Sequence, residues 1–188
     1  LFNVFGLFIF GRVVERIYGH LSFIAIYVLA GLSGSVASYI FNSIAIGAGA
    51  SGAIFGILGA FAAFFTARRG VLGEMGRQNL SGILFMVAIN LFFGFVTPGI
   101  DNWAHMGGFV AGFALGLVLA PGCSQMQVSS GMVHSLGRAY HLPLPLRQLL
   151  VVLVMFTVLI CGMWVGTITL EDNPHSHIYK ANRYLERQ

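Results

Sequence analysis

The chain has 188 residues, of which 57% are hydrophobic and only 9% are charged. A soluble domain carries about 25% charged residues, so this chain could not cover its surface with polar groups and is expected to lie in lipid. The net charge of +4 includes no basic run interleaved with aromatic residues, which argues against a nucleic-acid-binding protein.

Apolar stretches long enough to cross a bilayer predict six membrane-spanning helices. In chain order they occupy residues 1–14, 21–41, 51–67, 80–96, 102–120 and 149–169. The fold class predicted from this pattern is all-α, a polytopic membrane helix bundle whose main body is residues 1–120. Because Leu1 lies inside the first apolar stretch and no charged leader precedes it, we expect a further helix upstream.

Two segments differ in composition from the predicted spans. Residues 121–148 contain Gly, Ser, Gln and Pro and are predicted to form a cytoplasmic linker before an additional transmembrane helix at 149–169. Residues 170–188 carry charges of both signs and are predicted to be a polar tail. His175 and His177 in that tail could bind a stray metal, but a solvated tail is the preferred interpretation.

Basic residues alternate between the predicted connections. Seven of the ten Lys and Arg residues lie in three of them: Arg12, Arg16, Arg68, Arg69, Arg77, Arg138 and Arg147. Residues 42–50 and 97–101 contain none, so the positive-inside rule places these two loops on the outer face. We expect an integral multi-pass protein of the plasma membrane, which in a bacterium is the inner membrane.

Ser51 and His105 are the candidate catalytic residues. Polar side chains inside membrane spans are costly, and they therefore indicate function. Ser51 begins the third predicted span and His105 lies about one turn inside the fifth, and both spans begin at the outer face. The two side chains are expected at similar depth on different helices.

The chemistry of this pair favours acyl transfer. A serine hydroxyl is a poor nucleophile unless a neighbouring base takes its proton, and an imidazole suits that role near neutral pH. Free backbone N–H groups at the helix start near Ser51 could stabilise an oxyanion. Gly49 permits tight backbone geometry there and leaves room for a substrate carbonyl.

Glycines are spaced so that the third and fifth spans can touch. On the third span they are Gly52, Gly56 and Gly59, and on the fifth they are Gly108, Gly112 and Gly116. Small residues let membrane helices approach closely. Since His105 lies three residues before Gly108, its imidazole is expected to face the helix that packs against these glycines.

Each signal alone has a simpler explanation. Gly and Ser are common helix-packing residues, and a His near a membrane interface is often a solvated bystander. Cys123 and Cys161 have no CxxC or Cys/His spacing, so neither a metal site nor a disulfide framework is indicated, and no cofactor is expected. The combination of a serine, a histidine and two glycine stripes favours catalysis.

These residues resemble the motifs of the rhomboid family of intramembrane proteases. The run from Gly49 to Gly52 resembles its GxSG nucleophile motif, and the run from His105 to Gly112 resembles its HxxGxxxG motif. Asn3 lies where the family's HxxxN motif places an oxyanion-hole Asn. The His of that motif would fall two residues before Leu1.

The resemblance implies a six-helix bundle, here in the six-plus-one variant, that cleaves other transmembrane proteins with a Ser–His dyad and no metal. Phe55 lies four residues after Ser51, where some relatives have a Tyr packed on the His, and the stacking is expected to persist. The resemblance also implies lateral substrate access where the span at 80–96 can tilt. Transmembrane protein substrates and the lipid bilayer are the expected partners.

Two carboxylates near these motifs are interpreted as structural. Asp101 precedes His105 by four residues and could be a third triad member, but a helix N-terminal cap is preferred. Glu15 is expected to bond loop N–H groups or Arg12 and Arg16, at the membrane face opposite Ser51.

Two alternatives from other functional classes are open. A non-catalytic rhomboid-like protein would bind transmembrane helices without cleaving them, but such relatives usually lack the Ser or the His. A transporter or channel is less favoured, because no intramembrane path of charged residues is visible.

Overall fold

Residues 2–41, 50–120, 155–157 and 159–168 are described by the computed structural model, and these residues contain helices and no β-strand. The helices are α1 at residues 2–18, α2 at His20–Phe41, α3 at Ser51–Ala67, α4 at Arg69–Val96 and α5 at Asn102–Leu119. Residues 155–157 and 159–168 are also helical and are here called the C-terminal segment. The predicted linker, the polar tail and the start of the predicted span at 149 lie outside the described residues.

Three of the described helices, α2, α4 and α5, are long and apolar enough to cross a membrane, and α3 and the C-terminal segment are shorter apolar helices. The 17 residues of α3 correspond to about 26 Å at 1.5 Å per residue, close to the hydrocarbon thickness of a bilayer. The predicted fold class, an all-α polytopic membrane helix bundle, is confirmed.

Helix α1 is one continuous helix with a wider turn in its middle. Phe2–Gly6 and Arg12–Tyr18 are α-helical, and Leu7–Gly11 between them is π-helical. The helix ends at Gly19, whose φ of 82° lies in a region that favours glycine. The chain turns there directly into α2.

Glu15 has a different partner from those expected. Its carboxylate lies 2.5 Å from Nδ1 of His20, across the turn at Gly19. The expectation of Arg12 or Arg16 as partner was wrong, because the turn brings the first residue of α2 back over the last turns of α1. The pair lies at the end of the bundle away from Ser51, as a structural role requires.

Helix α3 occupies the centre of the bundle. From Gly52 to Phe65 all of its residues except Phe61 are buried. A helix that is apolar on every side either packs among neighbours or faces lipid, and α3 is covered by neighbouring helices. Ser51 therefore begins the most enclosed helix of the described part of the chain.

The glycines of α3 and α5 bring the two backbones into contact. A Cβ placed on Gly116 would lie 2.7 Å from Cα of Ala60, and one placed on Gly112 would collide with the Gly56 carbonyl. The prediction that the glycine stripes face each other is confirmed. The residue numbers of the contacting pairs rise together, so α3 and α5 run parallel.

Helix α2 runs antiparallel to both and completes the centre. A Cβ on Gly34 would lie 2.6 Å from the Ala104 carbonyl oxygen in α5, and one on Gly31 would lie 3.1 Å from Cβ of Ala53 in α3. At the other end, the Tyr18 hydroxyl of α1 donates to the Ala60 carbonyl at 2.8 Å. Four helices thus share one tightly packed interior.

The connection predicted between residues 67 and 80 is mostly helical. Helix α4 begins at Arg69, and only Arg68 separates it from α3. Within α4 the chain bends at Gly73, with φ 51° and ψ −131°. The prediction of a loop was wrong because it followed the charges. Arginine is compatible with a helix. Residues 74–79 extend the apolar helix, and residues 69–72 form a separate short helical stretch before the break at Gly73.

The C-terminal segment packs against α2. A Cβ on Gly162 would lie 2.9 Å from a methyl carbon of Val36, and one on Gly166 would lie 2.8 Å from the Tyr39 ring. The additional span predicted at 149–169 is therefore helical over its described residues and belongs to the bundle.

Candidate active site

Ser51 is the first residue of α3 and is half-buried. The residue before it, Ala50, has no side chain that could cap the helix. Among the described residues, no side chain caps the N–H groups of the first helical turn, which also have no acceptor within the helix itself. Such groups, together with the helix dipole, form a site that favours an anion.

His105 lies on α5 and is 7% exposed. Its imidazole stacks on the ring of Phe55, with centroids 4.1 Å apart and planes inclined by 5°. Phe55 is four residues after Ser51, one turn along the same face of α3. The stacking expected of Phe55 is present, and it places the imidazole beside the turn that begins with Ser51.

The backbones of α3 and α5 approach closely at this level. A Cβ on Gly52 would lie 3.2 Å from the Ala104 carbonyl oxygen, and one on Gly108 would lie 2.8 Å from the Gly52 carbonyl carbon. These contacts flank His105 on both sides along α5. A larger residue at Gly108 would collide with the Gly52 backbone, and one at Gly52 would require the Ala104 carbonyl to shift by a few tenths of an ångström.

Nδ1 of His105 is buried and has no hydrogen-bond partner among the described residues. Asp101 does not supply one. Its carboxylate accepts the Ala104 backbone N–H at 3.1 Å and the Ser38 hydroxyl of α2. The prediction that Asp101 caps the helix is confirmed. The imidazole is held by ring stacking rather than by a carboxylate.

Asn3 lies on the first turn of α1. One turn further on, a Cβ on Gly6 would lie 3.3 Å from Cγ2 of Ile54, which is itself one turn after Ser51. The Asn3 turn and the Ser51 turn are therefore at the same level of two parallel helices. Gly49, the other residue expected near the oxyanion, lies outside the described residues.

Two polar residues of this region were missed by sequence reasoning. Ser38 is buried on α2 and holds Asp101, and Asn102 is buried at the start of α5, where its amide donates to the Leu91 carbonyl at 3.0 Å. Their position within or beside apolar spans was the available signal. Within residues 2–41, 50–120, 155–157 and 159–168, no cluster of three or more His, Cys, Asp or Glu residues could hold a metal.

Comparison with known proteins places these motifs in a family. A family model described as the rhomboid domain matches residues 1–122. The Rhomboid protease GluP of Bacillus subtilis is 40% identical over 141 residues, which cover 72% of this chain and 27% of that protein. RHOMBOID-like protein 1 of Arabidopsis thaliana is 37% identical over 118 residues, covering 63% and 30%.

A third relative, the mitochondrial RHOMBOID-like protein 6 of Arabidopsis thaliana, is 31% identical over 183 residues, which cover 93% of this chain and 56% of that protein. The chain thus spans between 27% and 56% of the length of these three relatives. No solved structure gives a significant match.

Proposed function

Because this chain belongs to the rhomboid family, we propose that it is an intramembrane serine endopeptidase with Ser51 as nucleophile and His105 as general base. The observation that carries the proposal is the stacking of His105 on Phe55, one helical turn from Ser51. This stacking supports the proposed pairing of a hydroxyl and an imidazole that come from two different helices.

The proposed reaction is acyl transfer. The Ser51 hydroxyl oxygen attacks the substrate carbonyl carbon while His105 takes the hydroxyl proton. His105 then gives this proton to the leaving amine as the peptide bond breaks, and an acyl-enzyme remains. Water attacks the acyl-enzyme with His105 again as base, and this step releases the second product and restores the Ser51 hydroxyl.

The negative charge of the tetrahedral intermediate needs donors. The uncapped N–H groups at the start of α3 are the first candidates, since they are part of the helix that carries Ser51. The Asn3 side chain and the backbone at Gly49 are proposed to complete the oxyanion hole. All of these donors act on the oxygen of the same carbonyl that Ser51 attacks.

Replacement of Asn3 by alanine is expected to reduce kcat by about 10²-fold, because one oxyanion donor is lost. KM should change little, since the donor acts on charge that develops only in the transition state. Steady-state kinetics on a cleaved reporter measures both constants. Val4→Ala, on the same exposed turn, is the matched control. A rise in KM with unchanged kcat would contradict the role of Asn3.

Replacement of Phe55 by alanine is expected to slow the reaction by about 10²-fold, because the imidazole loses its supporting ring and its position. Phe55→Tyr retains the ring and should retain most of the activity. The rate at which a fluorophosphonate labels Ser51 measures the effect independently of substrate. Equal labelling rates for the alanine and tyrosine variants would show that stacking does not position the base.

Transmembrane proteins in the bilayer are the proposed substrates, and the plasma membrane is the proposed location. Residues 1–120 are proposed to be the catalytic bundle, and residues 121–148, 149–169 and 170–188 a linker, an additional helix and a tail. The substrate is expected to reach Ser51 laterally, past α4.

The proposed activity is tested with purified protein in liposomes together with a panel of single-span reporter proteins. We expect cleavage of at least one reporter within or beside its transmembrane segment, and inhibition by a fluorophosphonate. A protein that cleaves no reporter and is not labelled by a fluorophosphonate would instead be a non-catalytic rhomboid-like protein.

A further inference from the structure

The Ser51 end of α4 is held to α5 by a buried side-chain amide. Asn102 is 8% exposed, and its Nδ2 donates to the Leu91 carbonyl at 3.0 Å. Its Oδ1 is buried and has no hydrogen-bond partner among the described residues. The amide therefore makes one hydrogen bond across the helix interface and leaves its acceptor unused.

Gly94 makes room for this amide. A Cβ placed on Gly94 would lie 2.8 Å from Cγ and 3.0 Å from Nδ2 of Asn102. Any other residue at this position would push the amide away from the Leu91 carbonyl. The side chain of Asn102 thus fits a notch in α4 that only glycine provides.

Little other packing holds this end of α4. Four residues around Gly94 are between 56% and 76% exposed: Phe92, Phe93, Phe95 and Val96. In a membrane these side chains face lipid, and lipid solvates them equally well when α4 moves. The contact between Asn102 and the notch at Gly94 is therefore the main specific contact at this end of the helix.

The start of α5 is held more firmly on its other side. Asp101 accepts the Ser38 hydroxyl of α2, and Trp103 stacks on Phe41 of α2 with ring centroids 4.6 Å apart. When α4 moves away, α5 stays with α2, and His105 keeps its position. The residues that flank Asn102 therefore anchor the catalytic helix to α2, while Asn102 hydrogen-bonds to α4.

The unpaired Oδ1 of Asn102 weakens the arrangement in which α4 is packed against α5. A buried acceptor without a partner carries a desolvation penalty that offsets part of what the Asn102–Leu91 hydrogen bond contributes. When α4 moves away, Oδ1 becomes accessible to water or to a backbone N–H of an incoming chain. The contact is strong enough to hold α4 against α5, which is the closed position of α4, and weak enough to break when α4 moves.

We propose that Asn102 is a positioning residue that latches the Ser51 end of α4 to α5, and that release of this latch opens the lateral path to Ser51. The inference rests on the proposed function, because it concerns how a transmembrane substrate reaches the same serine. It assigns the control of access to one side chain and its glycine notch.

The test compares two fluorophosphonates that label Ser51 by forming an oxygen–phosphorus bond and releasing fluoride. One is small and water-soluble, and the other is attached to the end of a hydrophobic helical peptide that must arrive through the bilayer. Asn102→Ala and Gly94→Ala should both raise the labelling rate of the peptide probe by about threefold to tenfold, the range expected for one such hydrogen bond. Neither variant should change the rate of the small probe.

Gly82→Ala is the matched control, because Gly82 lies on the same helix and a Cβ there meets nothing within 4 Å. It should leave both labelling rates unchanged. If Asn102→Ala slows both probes together, Asn102 has a general structural role and the latch is overturned. If neither probe labels the wild-type protein, the proposed function fails and the latch fails with it.

A reversible lock provides the second measurement. The double variant Gly94→Cys and Asn102→Cys, made with Cys123→Ser and Cys161→Ser, places two thiols across the interface. Oxidation should stop labelling by the peptide probe and leave labelling by the small probe, and a reductant should restore labelling by the peptide probe. Unchanged labelling by the peptide probe in the oxidised protein would show that access does not require α4 to leave Asn102.

Discussion

Ser51→Ala and His105→Ala are each expected to reduce cleavage of a transmembrane reporter by about 10⁴-fold or more. The serine variant lacks the attacking oxygen, and the histidine variant lacks the base that takes its proton. Because the two groups act as a unit, the double variant should be no slower than either single variant. Initial cleavage rates in liposomes measure all three.

Matched controls separate this loss from a general effect of substitution. Ser35→Ala removes an exposed hydroxyl that donates to the carbonyl of Gly31, one turn before it in α2. His20→Ala removes an exposed imidazole at the opposite end of the bundle. Both control variants should cleave at the wild-type rate. Strictly multiplicative losses in the double variant would contradict a Ser–His unit.

Gly112→Ala is expected to abolish activity although it changes neither catalytic residue. Its Cβ would collide with the Gly56 carbonyl and lie 2.5 Å from the Gly56 carbonyl carbon. Backbone atoms of two packed helices cannot shift individually, so α3 and α5 must move apart. Overpacking of this kind lowers the free energy of unfolding by about 1–3 kcal/mol or more. The imidazole then moves away from Ser51, where a displacement of about 1 Å can cost 10²-fold in rate.

The free energy of unfolding and the labelling rate of Ser51 measure the two consequences of Gly112→Ala separately. Gly70→Ala is the control, since a Cβ on Gly70 meets nothing within 4 Å. A Gly112→Ala protein with wild-type stability and labelling would show that the backbone contact between α3 and α5 is not needed.

Much of the fold could be predicted because lipid imposes a simple pattern. Apolar stretches of about 20 residues mark the spans, and glycines at helical spacing mark the faces that touch. The contact between the stripes on α3 and α5 was therefore predictable, since it depends on periodicity within each helix. The stacking of His105 on Phe55 was expected from the resemblance to the rhomboid family rather than from this spacing.

Pairings between distant residues could not be predicted in this way. Ser38 and Asp101 are 63 positions apart, and their contact depends on how α2 lies against α5. The bond from Asn102 to Leu91 likewise depends on the notch at Gly94. The helical start of α4 was missed because charge was used to define loops, whereas helices extend into charged sequence where the backbone remains hydrogen-bonded.

The central claim, that the imidazole of His105 activates the hydroxyl of Ser51 across two helices, is tested most directly by chemical labelling. The measurement is the rate at which a small fluorophosphonate modifies the wild-type and the His105→Ala protein, with the modified residue located by peptide mass spectrometry. We expect a label on Ser51 in the wild-type protein and a labelling rate lower by about 10³-fold or more in the variant that lacks the imidazole. Equal rates in the two proteins, or a label on a different serine, would contradict the central claim.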